Sequence, residues 1–115
     1  MQKNLKPKVY IAGPYTKGDV VLNIHKVIEV ANLLVSRGYC PFVPHMTHLW
    51  HLVSPKEVGF WYDYDLEWLP ACQYLLRLYG ESVGANMEVQ VAQSLNIPVI
   101  YSVNDLPNLG TYSLK

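Results

Sequence analysis

A few residues of this 115-residue chain stand where acid–base or nucleophilic chemistry could be done, and Glu88 leads them. It closes the stretch Gly80-Glu81-Ser82-Val83-Gly84-Ala85-Asn86-Met87-Glu88. Ala85, Glu88, Val89, Ala92 and Leu95 recur three or four residues apart, the spacing of one helix face. Every other member of that face is apolar. A carboxylate on a stripe that should press against a sheet must be paired, protonated or used. Gly80 and Gly84 permit close backbone approach, and a helix start offers free N–H groups and a positive dipole end. Ser82 falls at that start, where a hydroxyl caps the helix, binds an anion, or does both.

Other candidates are spread along the chain. Asp63, Asp65 and Glu67 alternate, so they cannot all share one helix face. Asp65 lies three residues before Trp68 and four before Leu69 and borders the apolar stripe, whereas Glu67 should be solvated. Asp65 is either a surface carboxylate or the partner of Glu88 in the carboxylate pair that glycosidic-bond chemistry requires. In the loop Gly13-Pro14-Tyr15-Thr16-Lys17-Gly18, backbone N–H groups, the Thr16 hydroxyl and the Lys17 ammonium can hold a phosphate between Gly13 and Gly18. A plain strand-to-helix turn is the alternative, and the loop matches neither the P-loop nor the dinucleotide fingerprint. His45, His48 and His51 recur every third residue, which invites zinc, but no Cys or carboxylate joins them at ligand spacing. An aromatic-rich pocket wall fits them equally well, and neither a metal nor a cofactor is expected. Arg77, in an otherwise apolar run, needs a partner: a phosphate, Glu81, or a structural or subunit-interface salt bridge.

The elements that must position these residues alternate. Val9-Tyr10-Ile11-Ala12 reads as a first strand stopped by Gly13-Pro14. Asp19 caps a helix with Val20, Ile24, Val27, Ile28, Ala31, Leu34 and Val35 on one face, ending near Arg37-Gly38. Tyr39 to Val43 is a second strand, pushed to an edge by Pro41. A long connection from Pro44 to Ser54 follows, and Pro55 opens a second helix carrying Val58, Trp61, Tyr62, Leu66 and Leu69, up to Pro70. Tyr74 to Tyr79 is the third strand, the helix of Glu88 comes next, and Val99-Ile100-Tyr101 is the fourth strand. Ser102 to Lys115 has turn chemistry without periodicity. This order predicts an α/β fold, a flavodoxin/Rossmann-like three-layer domain with a four- or five-stranded parallel sheet, whose ligands bind beyond the carboxyl ends of the strands.

Composition bounds the partners. The length suits a single domain spanning residues 1–115. Nine basic residues balance nine acidic ones, which argues against a nucleic-acid polymer as partner. Only 16% of residues are charged while 12% are aromatic, which points to apolar surface buried against another subunit. Cys40 and Cys72 fit reduced core thiols. Neither a signal peptide nor an apolar run of membrane-span length is visible, so no membrane partner and a cytoplasmic location are expected.

Taken together, Val9 to Pro14, Asp65-Leu66-Glu67-Trp68-Leu69 and Gly80 to Glu88 resemble the nucleoside 2-deoxyribosyltransferase-like superfamily over most of Lys8 to Tyr101. Within it the likeness is to small bacterial and phage members and to the 2'-deoxynucleoside 5'-monophosphate N-glycosidases. The resemblance implies an enzyme that cleaves the N-glycosidic bond of a (deoxy)nucleoside or its 5'-monophosphate, by hydrolysis or base exchange. Glu88 would be the nucleophile at C1', Asp65 the candidate acid for the leaving base, and Tyr10 the residue that positions Glu88. Ser82 and the loop from Thr16 to Gly18 match the 5'-phosphate contacts. His45, Gly13 and Gly84 complete the expected substrate site. A homodimer or homotetramer is implied, with a neighbour, through the tail, completing each site. The chain departs from the family at Gln73, where an acidic residue is common, and its first loop lacks the arginine and paired glycines of strong phosphate binders. The expectation for Glu88 is an ionised carboxylate, held so by the helix start and by Tyr10. The alternatives are a nucleotide-binding module without turnover and a structural oligomer.

Overall fold

The computed structural model describes residues 5–57 and 59–110. Four strands form one all-parallel sheet: β1 (Lys8–Ala12), β2 (Cys40–Phe42), β3 (Tyr74–Arg77) and β4 (Val99–Ile100), in the order β2-β1-β3-β4. The register sets Tyr10 beside Phe42 on one side and Leu75 on the other, and Ala12 beside Arg77. Strand alternation then sorts β1 between two cores. Val9 and Ile11 face one way, with Leu76, against Val27 and Leu34 of helix α1 (Val20–Ser36). Tyr10 and Ala12 face the other way, with Leu75, against Ala85 and Ala92 of helix α4 (Val83–Ser94). A helix on each face makes three layers, and the face that Tyr10 shares with α4 is the one that matters for the site.

Caps fix both helices as the sequence predicts. Asp19 accepts from Leu22 N–H at the start of α1, and Ser82 accepts from Ala85 N–H at the start of α4. Gly38, at φ +96, turns the chain out of α1. Pro41 lies in β2, an edge strand, as its missing N–H requires. The last described stretch is not free of the core. Val103, which opens a 3-10 turn at Val103–Asp105, and Leu106, which follows it, are buried against the α1 side.

The segment between β2 and β3 departs from the expectation of a long loop followed by one helix from Pro55 to Pro70. A 3-10 turn at Pro44–Met46 leads directly into α2 (Thr47–Val53), which ends before Ser54, and α3 (Phe60–Leu66) begins after Gly59. Each helix has seven residues, too few for local periodicity to locate. What holds them together is aromatic contact: Trp50 packs at 4.8 Å from Trp61 and 5.6 Å from Tyr64. Trp61 Nε1 also donates to His51 Nδ1 at 2.9 Å. Val58 and residues 111–115, hence the last five residues of the tail expected to reach a neighbour, lie outside the described residues.

Candidate active site

Glu88 is turned inward. It lies in the second turn of α4, 8% exposed, and Tyr10 Oη donates a hydrogen bond to its Oε2. The two residues meet because Tyr10 falls on the α4 face of β1 and Glu88 on the apolar stripe of the helix. Asp65, near the end of α3, is 6% exposed, and its Oδ1 has no hydrogen-bond partner. Glu88 and Asp65 line a cavity of about 380 Å³ beyond the carboxyl ends of β1 and β3. That is the switch point of a sheet in this order, where ligands of such folds bind.

Burial dominates the electrostatics. It lifts Glu88 from its ordinary 4.5 to about 7, although the Tyr10 hydrogen bond and the Arg77 charge pull the other way. This corrects the expectation of a carboxylate kept ionised by Tyr10 and the helix start: desolvation outweighs both. Asp65 is lifted to about 7 as well, by burial first and by the Glu88 anion second. Two neighbouring carboxyls, each raised toward neutrality, hold one proton more easily than none or two. Burial and the Glu88 charge also push the Tyr10 phenol far up, so it stays a hydrogen-bond donor.

The cavity wall draws on several segments. Gly13, Thr16 and Lys17 come from the first loop, and Ser82 and Gly84 from the start of α4. A Cβ built on Gly84 meets nothing within 4 Å, so that stretch of backbone is open to a ligand. Gly18 is not brought in, and it stands exposed at φ +83. Lys17 does not stand free either, since its Nζ lies 3.5 Å from Glu81 Oε1. Arg77, for which Glu81 was one expected partner, is bonded to the main chain and to Asn86 instead.

His45 is 5% exposed and also lines the cavity. Its Nε2 lies 2.8 Å from Pro14 O, and a carbonyl only accepts, so Nε2 carries the hydrogen while Nδ1 is left without a partner. Burial lowers its pKa against the pull of the Pro14 and Gly13 carbonyls and keeps the ring neutral. The other two histidines go elsewhere: His48 Nδ1 meets Tyr15 Oη, and His51 meets Trp61. Among the described residues no group of three or more His, Cys, Asp or Glu side chains is arranged for a metal ion.

Sequence reasoning missed three aromatic walls: Tyr15, Trp61 and Tyr62. Two of them had a signal, because Trp61 and Tyr62 lie four and three residues before Asp65 and therefore share its helix face. Glu81, expected only as a partner of Arg77, also lines the cavity.

This architecture is that of an α/β protein of the flavodoxin-like class, with the fold of nucleoside deoxyribosyltransferases. Among solved structures the chain is similar to a 2-deoxyribosyltransferase from Bacillus psychrosaccharolyticus, described as a biocatalyst for synthesis of antiviral and antitumoral nucleosides. The two superpose with a TM-score of 0.59 at 23% identity, over 80% of this chain and 69% of the other. No curated protein sequence matches the chain. Residues 7–102 match a domain family of unknown function, DUF7768, and the chain belongs to that family. No helix among the described residues is long and apolar enough to cross a membrane.

Proposed function

We propose that this protein cleaves the N-glycosidic bond of a nucleoside or nucleoside 5'-monophosphate through a glycosyl–Glu88 intermediate. One observation carries the reading: a buried glutamate, gripped by a tyrosine hydroxyl, faces a cavity beside a second buried carboxyl that has an unpartnered oxygen. The fold shared with a deoxyribosyltransferase supports it.

In the first step a Glu88 oxygen attacks C1' of the sugar and a C–O bond forms as the C1'–N bond breaks. The bonding pair leaves with the base, which takes its proton from Asp65. The single proton that the two carboxyls share suits this division: ionised Glu88 attacks while protonated Asp65 donates, because burial first and the Glu88 anion second raise Asp65. Tyr10 holds the attacking carboxylate in place and stays protonated throughout. In the second step water, or an incoming base, attacks C1' from the opened face and gives its proton to Asp65. The ester bond breaks and Glu88 leaves as a carboxylate. Two displacements retain the configuration at C1'. Tyr15, Trp61 and Tyr62 supply flat apolar walls for a base, and the start of α4 with Gly84 and Ser82 supplies N–H and O–H donors for the sugar end.

The test is a panel of nucleosides and nucleoside 5'-monophosphates, with and without an acceptor base, assayed for free base by chromatography. Wild-type protein should release base from at least one of them and Glu88→Gln from none. Intact-protein mass spectra of quenched reactions should show one added glycosyl group on wild type only. Release by Glu88→Gln at the wild-type rate refutes the mechanism. Nucleotide-induced thermal stabilisation with no product from any substrate would identify a binding module instead.

A further inference from the structure

We propose that Arg77 is the positioning residue of Glu88: it clamps the three segments that aim the carboxylate and supplies the cation that faces it from beneath the start of α4. The proposal rests on the reading of Glu88 as nucleophile, and it assigns a task to a charge that the reaction does not itself use.

Arg77 is the last residue of β3, paired with Ala12 of β1. Its side chain does not reach into the substrate cavity. Nη1 donates to Leu78 O, and Nη2 donates at 2.9 Å to both Gly80 O and Asn86 Oδ1. Asn86 lies in the first turn of α4, where its N–H donates to Ser82 O at 3.1 Å. One guanidinium thus joins the end of the strand, the glycine turn and the helix that carries Glu88 two residues further on. The planar fork of an arginine can hold several acceptors at fixed angles, as a lysine cannot. On the other side, a Cβ on Gly80 would stand 2.6 Å from Pro14 Cγ, so the turn is pressed against the first loop and cannot slide away. With the turn pinned from both sides, the start of α4 has one seating.

The same placement has an electrostatic consequence. Tyr10 of β1, Tyr62 and Asp65 of α3, and Arg77 of β3 are the titratable and charged groups that act on or with Glu88. Arg77 is the single cation of that set, and Lys17, the cation of the cavity wall, is already paired with Glu81. Burial raises Glu88, Tyr10 lowers it first and Arg77 second. Without Arg77 only a neutral donor would oppose desolvation. Arg77 also borders a second, open cavity of about 570 Å³ between Tyr79 and Tyr101, so solvent screens part of its charge.

The experiment follows the Glu88 carboxyl by ¹³C NMR titration in wild type, Arg77→Gln and Arg77→Lys, beside the base-release assay. Arg77→Gln should move the Glu88 midpoint up by about one pH unit, below the full effect of a close cation because of that screening. The acid limb of base release should move with it. Arg77→Lys keeps the charge and loses the fork, so its midpoint should return near wild type while the rate stays reduced. A merely structural role would not separate midpoint from rate in that way. In unaltered protein, the Arg77 side-chain ¹⁵N resonances should titrate with the Glu88 midpoint, a reading that needs no variant to fold. An unmoved Glu88 midpoint in folded Arg77→Gln, or Arg77 resonances blind to Glu88 in wild type, overturns the inference. Both NMR readings stand whether or not any base is released, whereas failure of the nucleophile reading shows as base release by Glu88→Gln.

Discussion

Replacing Glu88 by Gln should make the protein more stable, and more so as the pH rises. Gln keeps the shape and leaves a carbonyl oxygen to accept from Tyr10 Oη, so the change isolates the buried charge. In the unfolded chain Glu88 ionises near its ordinary 4.5, and in the folded protein near 7. Between those values the folded state binds more protons than the unfolded one, so stability is fully present below the lower value and is lost as the pH climbs through the upper. At about 1.4 kcal/mol per unit, the Glu88 contribution to that loss is about 3 kcal/mol. Removing the anion also relieves part of the pressure on Asp65, which adds to the gain. Urea unfolding of both proteins at about pH 5 and about pH 8 reads the difference as the two slopes stay equal. Near the lower pH the variant should match wild type, and near the upper it should gain about 3 kcal/mol, or roughly 10 °C in Tm. Gln that destabilises equally at both pH values would mean that Glu88 is not a desolvated acid, and the account of the site would fail with it.

Four further outcomes follow from the geometry. Tyr10→Phe removes a charge-assisted hydrogen bond worth about 2 kcal/mol, so base release should fall roughly thirtyfold and its acid limb should move to higher pH, read from kcat/KM profiles. Gly80→Ala sets a Cβ 2.6 Å from Pro14 Cγ at φ +127 and should cost about 1–3 kcal/mol in urea titrations while weakening substrate binding, because the turn carries the start of α4. Among the described residues the cavity wall holds one cation, Lys17, against the carboxyl groups of Asp65, Glu81 and Glu88, so an uncharged nucleoside should be preferred to its 5'-monophosphate. Glu81→Gln frees Lys17 and should shift the ratio of the two kcat/KM values toward the monophosphate by about fivefold at low salt, and less at high salt.

Legibility of the site in the sequence tracked how local its determinants are. β1 carries an apolar run and a stop, α1 with Asp19 and α4 with Ser82 each carry an apolar stripe and a cap within a few residues, and they fall where the spacing places them. Glu88 was readable as buried because the stripe around it is short and otherwise apolar. The stretch from Pro44 to Leu69 was not, because α2 buries none of its residues and is held to α3 by Trp50, Trp61 and Tyr64. Pairing between aromatic rings at that separation leaves no period to detect. The partners of Arg77 were hidden for another reason: two of them are main-chain carbonyls, and every residue has one of those. The upward shift of Glu88 was misjudged because helix start and hydroxyl can be seen in a sequence, while the depth of burial that overrides them cannot.

Both margins of the sheet are blunt. On one side Pro41 interrupts β2 with a residue that has no N–H to offer, and on the other β4 pairs over only two residues. Among the described residues neither margin presents a run of unspent donors and acceptors long enough for another chain to zip onto. Concentrated solutions of the folded protein should therefore resist fibre formation by addition to these strands.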